Sequence, residues 1–225
     1  MTNQTKFNLH EVYSTLEETL ESAEKILTAA VDDAKTLFHT PVVSSLYDNQ
    51  ITSRVMVLRE FCLKDRKMRI HTDHRAAKID QINQISTASV IGYDPELKIQ
   101  IKFQGNISTH YDDEITKSAW DQSTSRSKKC YSVKGGSSKE ITNPEDYDIK
   151  NFEVEEGYKN FSVLVFNFSS LEFLYLKVLD IEGLFINGMM VIVLLGLCHK
   201  IYQKFIFSLS QLVLVIMYYL KSFIY

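Results

Sequence analysis

SRVMVLREFCLKDRKMRIHTDHRAAK, Ser53 to Lys78, is the stretch that decides the fold. It opens with Ser53-Arg54, continues as the apolar run Val55-Met56-Val57-Leu58 and closes with Arg59. Lys64-Asp65-Arg66 is a charged turn, and Met68 to Thr72 is a second β-rich run that leads to a helix reaching Lys78. Basic or hydroxyl side chains stand at each junction of this strand–turn–strand–helix unit. Arg54, Arg59, Thr72 and Lys78 form a set suited to a phosphorylated ligand, because guanidinium and ammonium groups supply charge-assisted donors. Arg54 and Arg59 are five positions apart, so strand alternation points them to opposite faces. They share one ligand only near a strand end, a bulge or a subunit boundary.

On the N-terminal side, Leu9 to Phe38 reads as a helix that covers one face of a sheet. Leu16, Leu20 and Ile26-Leu27 recur near helical spacing, and glutamates crowd its front. Thr40-Pro41 stops it. Val42 to Leu46 is a short strand, Asp48-Asn49 a turn and Thr52 to Phe61 the return strand, so the two form a hairpin.

Beyond the central stretch, Asp73 is the expected N-cap of a helix from His74 to Gln84. Thr87 to Tyr93 and Leu97 to Ser108 are strands joined by the turn Asp94-Pro95-Glu96, and Asp112 to Trp120 is helical. Gln122 to Asn143, rich in Ser, Lys and Gly, reads as a loop, and Glu145 to Glu156 as acidic and irregular. Phe161 to Phe168 and Leu171 to Lys177 read as a last hairpin turning at Ser169-Ser170. The fold class is therefore mainly β with flanking helices: an antiparallel split β-barrel with an N-terminal helix. The expected division is 1–39 for the helix, 40–177 for the barrel and 178–225 for an apolar tail.

Bulk properties narrow the function. A chain of 225 residues buries one sizeable core. The net charge of -3 gives no basic field for nucleic acid. Cys62, Cys130 and Cys198 are few and far apart, which points to a reducing, cytoplasmic setting without a disulfide frame. The polar, acidic N-terminus carries no secretory signal. His71 and His74 lack a third metal ligand, Gly135-Gly136 lacks the context of a phosphate loop, and Ser123, Ser125 and His110 form no evident triad.

The order of these elements and their junction residues resembles the pyridoxamine 5'-phosphate oxidase family, and within it the short FMN-binding branch. Arg54-Val55-Met56-Val57-Leu58-Arg59 is similar to the family's Arg-x-Val-x-Leu-(Lys/Arg) strand, and Ile70-His71-Thr72-Asp73 to its aromatic-Thr-(Asn/Asp) strand end. Lys78 stands at the lysine of the Ser-x-Lys turn. Gln100, within Ile99 to Gly105, stands in its Gln-(Val/Ile)-x-(Val/Ile)-x-Gly strand, and Leu171-Glu172-Phe173-Leu174 resembles its Ile-Glu-Phe-Trp end. The resemblance implies a homodimer that binds FMN at the subunit interface. Arg54, Thr72 and Lys78 would hold the phosphate. The backbone of Val55, Met56, Val57 and Leu58 would line the flavin, His71 would stand beside it, and Gln100 would bond a polar part of the cofactor. Arg59 would sit near both flavin and a small-molecule substrate.

The chain departs from the family's oxidases in several places. Thr116 to Lys129 has only Ser125-Arg126 where they carry Arg-Pro-x-x-Ser; Ala77 replaces a second basic residue and Leu174 the usual Trp. The resemblance therefore implies an FMN-binding flavoprotein, an oxidoreductase of unassigned substrate, rather than a pyridoxamine phosphate oxidase. A non-enzymatic flavin-binding module is the alternative.

After Lys177 the composition breaks: Val178 to Tyr225 carries only Asp180, Glu182, Lys200, Lys204 and Lys221 as charges. Gly183 to His199 and Phe205 to Leu220 are uncharged, slightly short for spans of roughly 20 residues. They show no alternation sustained enough for a soluble element. The expectation is a frameshifted translation. Read one base earlier, Met189-Met190-Val191 gives Asp-Gly and Asn187-Gly188 gives Trp or Arg, as in the family's C-terminus. The alternative is a membrane association through residues 183–220.

Overall fold

The structure is a computed structural model that describes residues 7–10, 15–135, 143, 148 and 153–176, together with three backbone strands between 179 and 195. The chain divides into a unit of residues 1–194 and a second of 195–225, and everything below concerns the first.

The first helix, α1 (Leu16–Asp32), is shorter than expected. A capping box starts it: Thr15 Oγ1 accepts from the Glu18 N–H, and the Glu18 carboxylate accepts from the Thr15 N–H. It ends at Asp33, whose carboxylate takes the Lys35 N–H, with two adjacent aspartates unfavourable at a helix C-terminus. A separate 3-10 turn, Leu37–His39, follows, and His39 Nδ1 is tied to the Ala30 carbonyl at 2.6 Å. Ala23, Ile26, Leu27 and Ala30 go into the main core, packed chiefly against β3 (Leu58–Cys62).

Strands β1 (Val42–Tyr47) and β2 (Gln50–Val55) form the expected hairpin. Asp48 and Asn49 both have positive φ, 49° and 57°, as a two-residue turn of matching twist requires. The expected strand Thr52 to Phe61 is two strands. It breaks at Met56-Val57: the Met56 N–H bond to the Pro41 carbonyl is the last rung with β1, and from Leu58 the chain pairs with β4 as β3. β4 (Lys67–Asp73) pairs with β3. The next helix, α2 (Lys78–Gln84), starts four residues later than expected because the Asp73 carboxylate binds the Arg75 N–H and guanidinium instead of capping.

β5 (Thr87–Asp94) and β6 (Ile99–His110) form a long hairpin around an Asp94 turn. α3 (Glu114–Gln122) is capped by Asp113. The expected loop after it contains a short helix, α4 (Ser125–Lys129), capped by Thr124; residues 136–142 and most of 144–152 lie outside the described residues. A 3-10 turn, Glu155–Asn160, leads into β7.

β7 (Phe161–Leu176) is one strand of 16 residues, not a hairpin. Both halves pair with β6, from His110↔Val163 to Ile99↔Tyr175, so no turn is formed at Ser169-Ser170. Ser169 is the extra residue of a bulge opposite Gln104/Gly105.

The sheet order is β2-β1-β5-β6-β7-β4-β3, every pair with a given register antiparallel. This is the split barrel with an N-terminal helix. Its interior is filled by Val43, Leu58, Ile70, Ile101, Phe103, Phe166 and Phe173. A smaller cluster on the outer side of β7, Ala119, Phe161, Val163 and Val165, is covered by Trp120 and Tyr131. In the region expected to be frameshifted or membrane-associated, β8 (Leu179–Ile181) and β9 (Leu184–Ile186) pair with each other, and β10 (Met189–Leu195) pairs with β7. Residues 196–225 lie outside the description. No helix among the described residues is long and apolar enough to cross a membrane.

Candidate functional site

Arg54 points from β2 to the interior side of the sheet, the side of Val43 and Ser45. Its Nη1 donates to Ser45 Oγ at 2.8 Å, and its Nη2 to Thr52 Oγ1 at 2.7 Å and Gln81 Oε1 at 3.3 Å. All these acceptors are neutral. Burial lowers its affinity for a proton. Lys78, at the start of α2, is pushed below the usual lysine value by burial and then by the Arg54 charge, with Asp73 opposing. Both cations are thus disfavoured by burial, and Lys78 also by the charge of Arg54. A doubly charged anion relieves both.

Thr72 is buried on the interior side of β4, beside Ile70 in alternation. It faces the same side of the sheet as Arg54 and Lys78. Ser45, Thr52 and Gln81, which frame Arg54, were not singled out in the sequence. Only the β1–β2 register and the position of α2 bring them there.

Arg59 and His71 are on the other side. Leu58 faces the core and Arg59 does not, as alternation requires, and a register shift separates Leu58 from Glu60. His71 points outward from β4 onto Phe161, with ring centroids 4.9 Å apart and nearly perpendicular. Its imidazole is held neutral down to about pH 3 by burial, then by Arg69 and Arg59. Tyr131 packs on the same Phe161 at 4.9 Å, and burial pushes its phenol above the ordinary tyrosine value. The 131–133 segment is pinned there by three bonds. Asn160 Nδ2 donates to the Tyr131 carbonyl at 2.7 Å, Arg75 Nη1 to the Val133 carbonyl at 3.1 Å, and Ser132 Oγ to the Glu153 carbonyl at 2.6 Å.

Of the remaining expected residues, Val55 is exposed, Met56 and Leu58 are buried, and Val57 lies between. Gln100 is on the outer face of β6, paired with Tyr93 and Leu174 and alternating with buried Ile99 and Ile101. Within one chain it is on the opposite face of the sheet from Arg54. The set thus falls into three places: Arg54, Lys78 and Thr72 inside; Arg59 and His71 outside β3–β4; Gln100 outside β6.

Residues 20–111 match the family model of the pyridoxamine 5'-phosphate oxidase FMN-binding domain. Among solved structures, the fold resembles a pyridoxamine 5'-phosphate oxidase-related, FMN-binding protein from Nostoc punctiforme PCC 73102. That match has a TM-score of 0.60 at 15% identity over 81% of this chain and 99% of that one. It also resembles PhzG from Burkholderia lata 383, in complex with tetrahydrophenazine-1-carboxylic acid, with a TM-score of 0.54 at 14% identity over 68% of this chain and 82% of that one. A general stress protein 26-related protein from Clostridium acetobutylicum gives 0.50 at 10% identity over 80% and 96% of the two chains. No curated protein sequence matches the chain.

Proposed function

From its likeness to the pyridoxamine 5'-phosphate oxidase family, in fold and in its FMN-domain segment, we propose that this chain binds FMN and acts as a flavin-dependent oxidoreductase, two copies forming the working unit. The observation that carries the reading is the Arg54–Lys78 pair: two half-buried cations placed against each other, the guanidinium held only by neutral acceptors. This donor set fits the phosphate of FMN. Arg54 offers a planar fork already oriented by Ser45, Thr52 and Gln81. Lys78 offers a point charge whose desolvation the phosphate offsets. Thr72, buried on the same side, supplies a hydroxyl. The bound flavin supplies the redox chemistry, and the chain orients it and controls what reaches it.

The test is the absorbance of the full-length protein titrated with FMN, then with riboflavin, which lacks the phosphate. FMN should bind and develop perturbed flavin bands. Arg54→Ala and Lys78→Ala should each weaken FMN by about 10- to 100-fold, the roughly 1.5–3 kcal/mol of a charge-assisted bond, and leave riboflavin nearly unchanged. A folded protein that never takes up FMN overturns the reading. Equal losses for both ligands move these two residues off the phosphate. Turnover of a reductant with oxygen then separates an oxidoreductase from a flavin-binding module.

A further inference from the structure

The C-terminal end of β6 carries chemistry that the FMN reading does not use. Ser108 and His110 are two positions apart on β6, so alternation puts them on one face, and Thr109 between them turns the other way to Asn83. Strand pairing fixes both. Ser108 is opposite Val165 and His110 opposite Val163, and the His110 carbonyl accepts from the buried Ser162 hydroxyl at 2.6 Å. The chain then reverses at Asp112, whose φ is 51°, and Asp113 caps α3. The reversal brings the Asp113 carboxylate back against the ring of His110.

The three side chains form one line of hydrogen bonds. His110 Nδ1 is 2.7 Å from Asp113 Oδ2, and His110 Nε2 is 3.2 Å from Ser108 Oγ. Helix capping explains only part of this. The cap uses Asp113 Oδ1, which accepts from the Thr116 N–H at 2.8 Å and leaves Oδ2 to the imidazole. An ionised carboxylate takes the Nδ1 proton, so Nε2 presents its lone pair to the Ser108 hydroxyl. The other acceptor for that hydroxyl, the Val165 carbonyl, is farther away at 3.4 Å. Ser108 is exposed, and the ring behind it is partly shielded. A nucleophile, a base within its reach and a carboxylate that orients the base are the parts of acyl transfer. They are recognised by geometry, not by their order in the chain.

We propose that Ser108, His110 and Asp113 form a second reactive centre, on the outer face of β6, that hydrolyses small carboxylic esters. Ser108 Oγ attacks the carbonyl carbon while its proton passes to His110 Nε2. The ester C–O bond then breaks, and the same nitrogen gives the proton to the departing alcohol, leaving the acyl group on Ser108. Water, deprotonated in turn by His110, attacks that group, releases the acid and restores the hydroxyl. No electrons are exchanged, so the centre works independently of the flavin and does not rest on the FMN reading. Asp113 is a positioning residue that holds the ring and stabilises the imidazolium.

The test incubates the full-length protein with p-nitrophenyl acetate and follows nitrophenolate release, with mass spectrometry of peptides to locate the acetyl group. Release should continue past one equivalent per chain, and Ser108 should carry the acetyl group. Ser108→Ala should lose both. His110→Gln should slow acetylation of Ser108 by about 100-fold, the scale of a general base. Asp113→Asn keeps a capping side chain but not the charge. It should lower kcat by about tenfold or more and leave KM nearly unchanged, a split that a merely structural role would not produce. Melting followed by circular dichroism checks that the variants fold, and Asp113→Asn decides should His110→Gln not fold. Acetyl groups on lysines alone, or a Ser108 label that forms at the wild-type rate in the folded variants, shows plain chemical acetylation and overturns the proposal. Release that stops at one equivalent overturns the hydrolytic step.

Discussion

Arg54 and Arg59 bracket one apolar run, and the pleat sends them to opposite sides of the sheet. Their separation was legible in the sequence from spacing alone. The partners of Arg54 were not. Ser45 and Thr52 reach it through the β1–β2 register, and Gln81 through a helix that follows two strands later. Tyr131 was equally hidden, because only the fold brings it onto Phe161, the ring that His71 also contacts. His71 also makes a stability prediction. Its folded-state value of about 3 lies below the ordinary 6.5, so the folded protein refuses a proton that the unfolded chain accepts. Its contribution is fully present above pH 6.5 and is lost as the pH falls toward 3. The groups that set this value are Arg69 and Arg59, with burial foremost. Between pH 7 and pH 4 the wild type should lose roughly 3 kcal/mol more than His71→Gln. Urea unfolding at the two pH values measures it. Equal losses in the two proteins would mean that the imidazole is not held neutral in the fold.

At the level of elements, two turn signals were read correctly because their chemistry is local, whereas the Asp73 N-cap signal was not, its carboxylate being taken by Arg75. The Asp48-Asn49 turn and the Asp94 turn are set by residues inside them. Two misreadings share a cause. Thr52 to Phe61 looks like one strand, yet it changes partner on the way: it pairs with β1 as far as the Met56 N–H bond to the Pro41 carbonyl and with β4 from Leu58 onward. Ser169-Ser170 looks like a turn, yet β6 is long enough to pair with both flanks, and ladder bonds outweigh a weak turn signal. The continuity of β7 depends on Gly105. A Cβ there would be driven into the Asn167 carbonyl oxygen and against Phe168 Cα, both backbone and unable to swing away. Ser169 Oγ reinforces the bulge by donating to the Gln104 carbonyl at 3.2 Å. Gly105→Ala should therefore destabilise the fold by about 1–3 kcal/mol, the cost of overpacking a rigid contact. A urea midpoint equal to the wild type would show that the two strands are free to move apart at the bulge.

For the molecule as a whole, the outer face of β2, β1 and β5 carries apolar residues that the described chain leaves exposed. Ile51 and Val55 on β2 are 76% and 64% exposed, and Tyr93 on β5 is 44% exposed. Register places Val55 beside Val42 and Ile91, and Ile51 beside Leu46, so the apolar residues run across three strands. Gln100 stands next to Tyr93 on this face. The proposed dimer uses this surface: it buries the stripe, and it gives Gln100 a cofactor to reach, in the second copy. Sedimentation of the full-length protein should give twice the mass of one chain at micromolar concentration. Ile51→Asp with Val55→Asp, which places two carboxylates in the stripe and touches nothing in the core, should raise the dissociation constant by about 100-fold or more, the scale of removing a central apolar anchor. FMN uptake should fall with it. A wild type that sediments as a single chain removes the dimer, and a dissociated variant that keeps full FMN affinity removes Gln100 from the cofactor site.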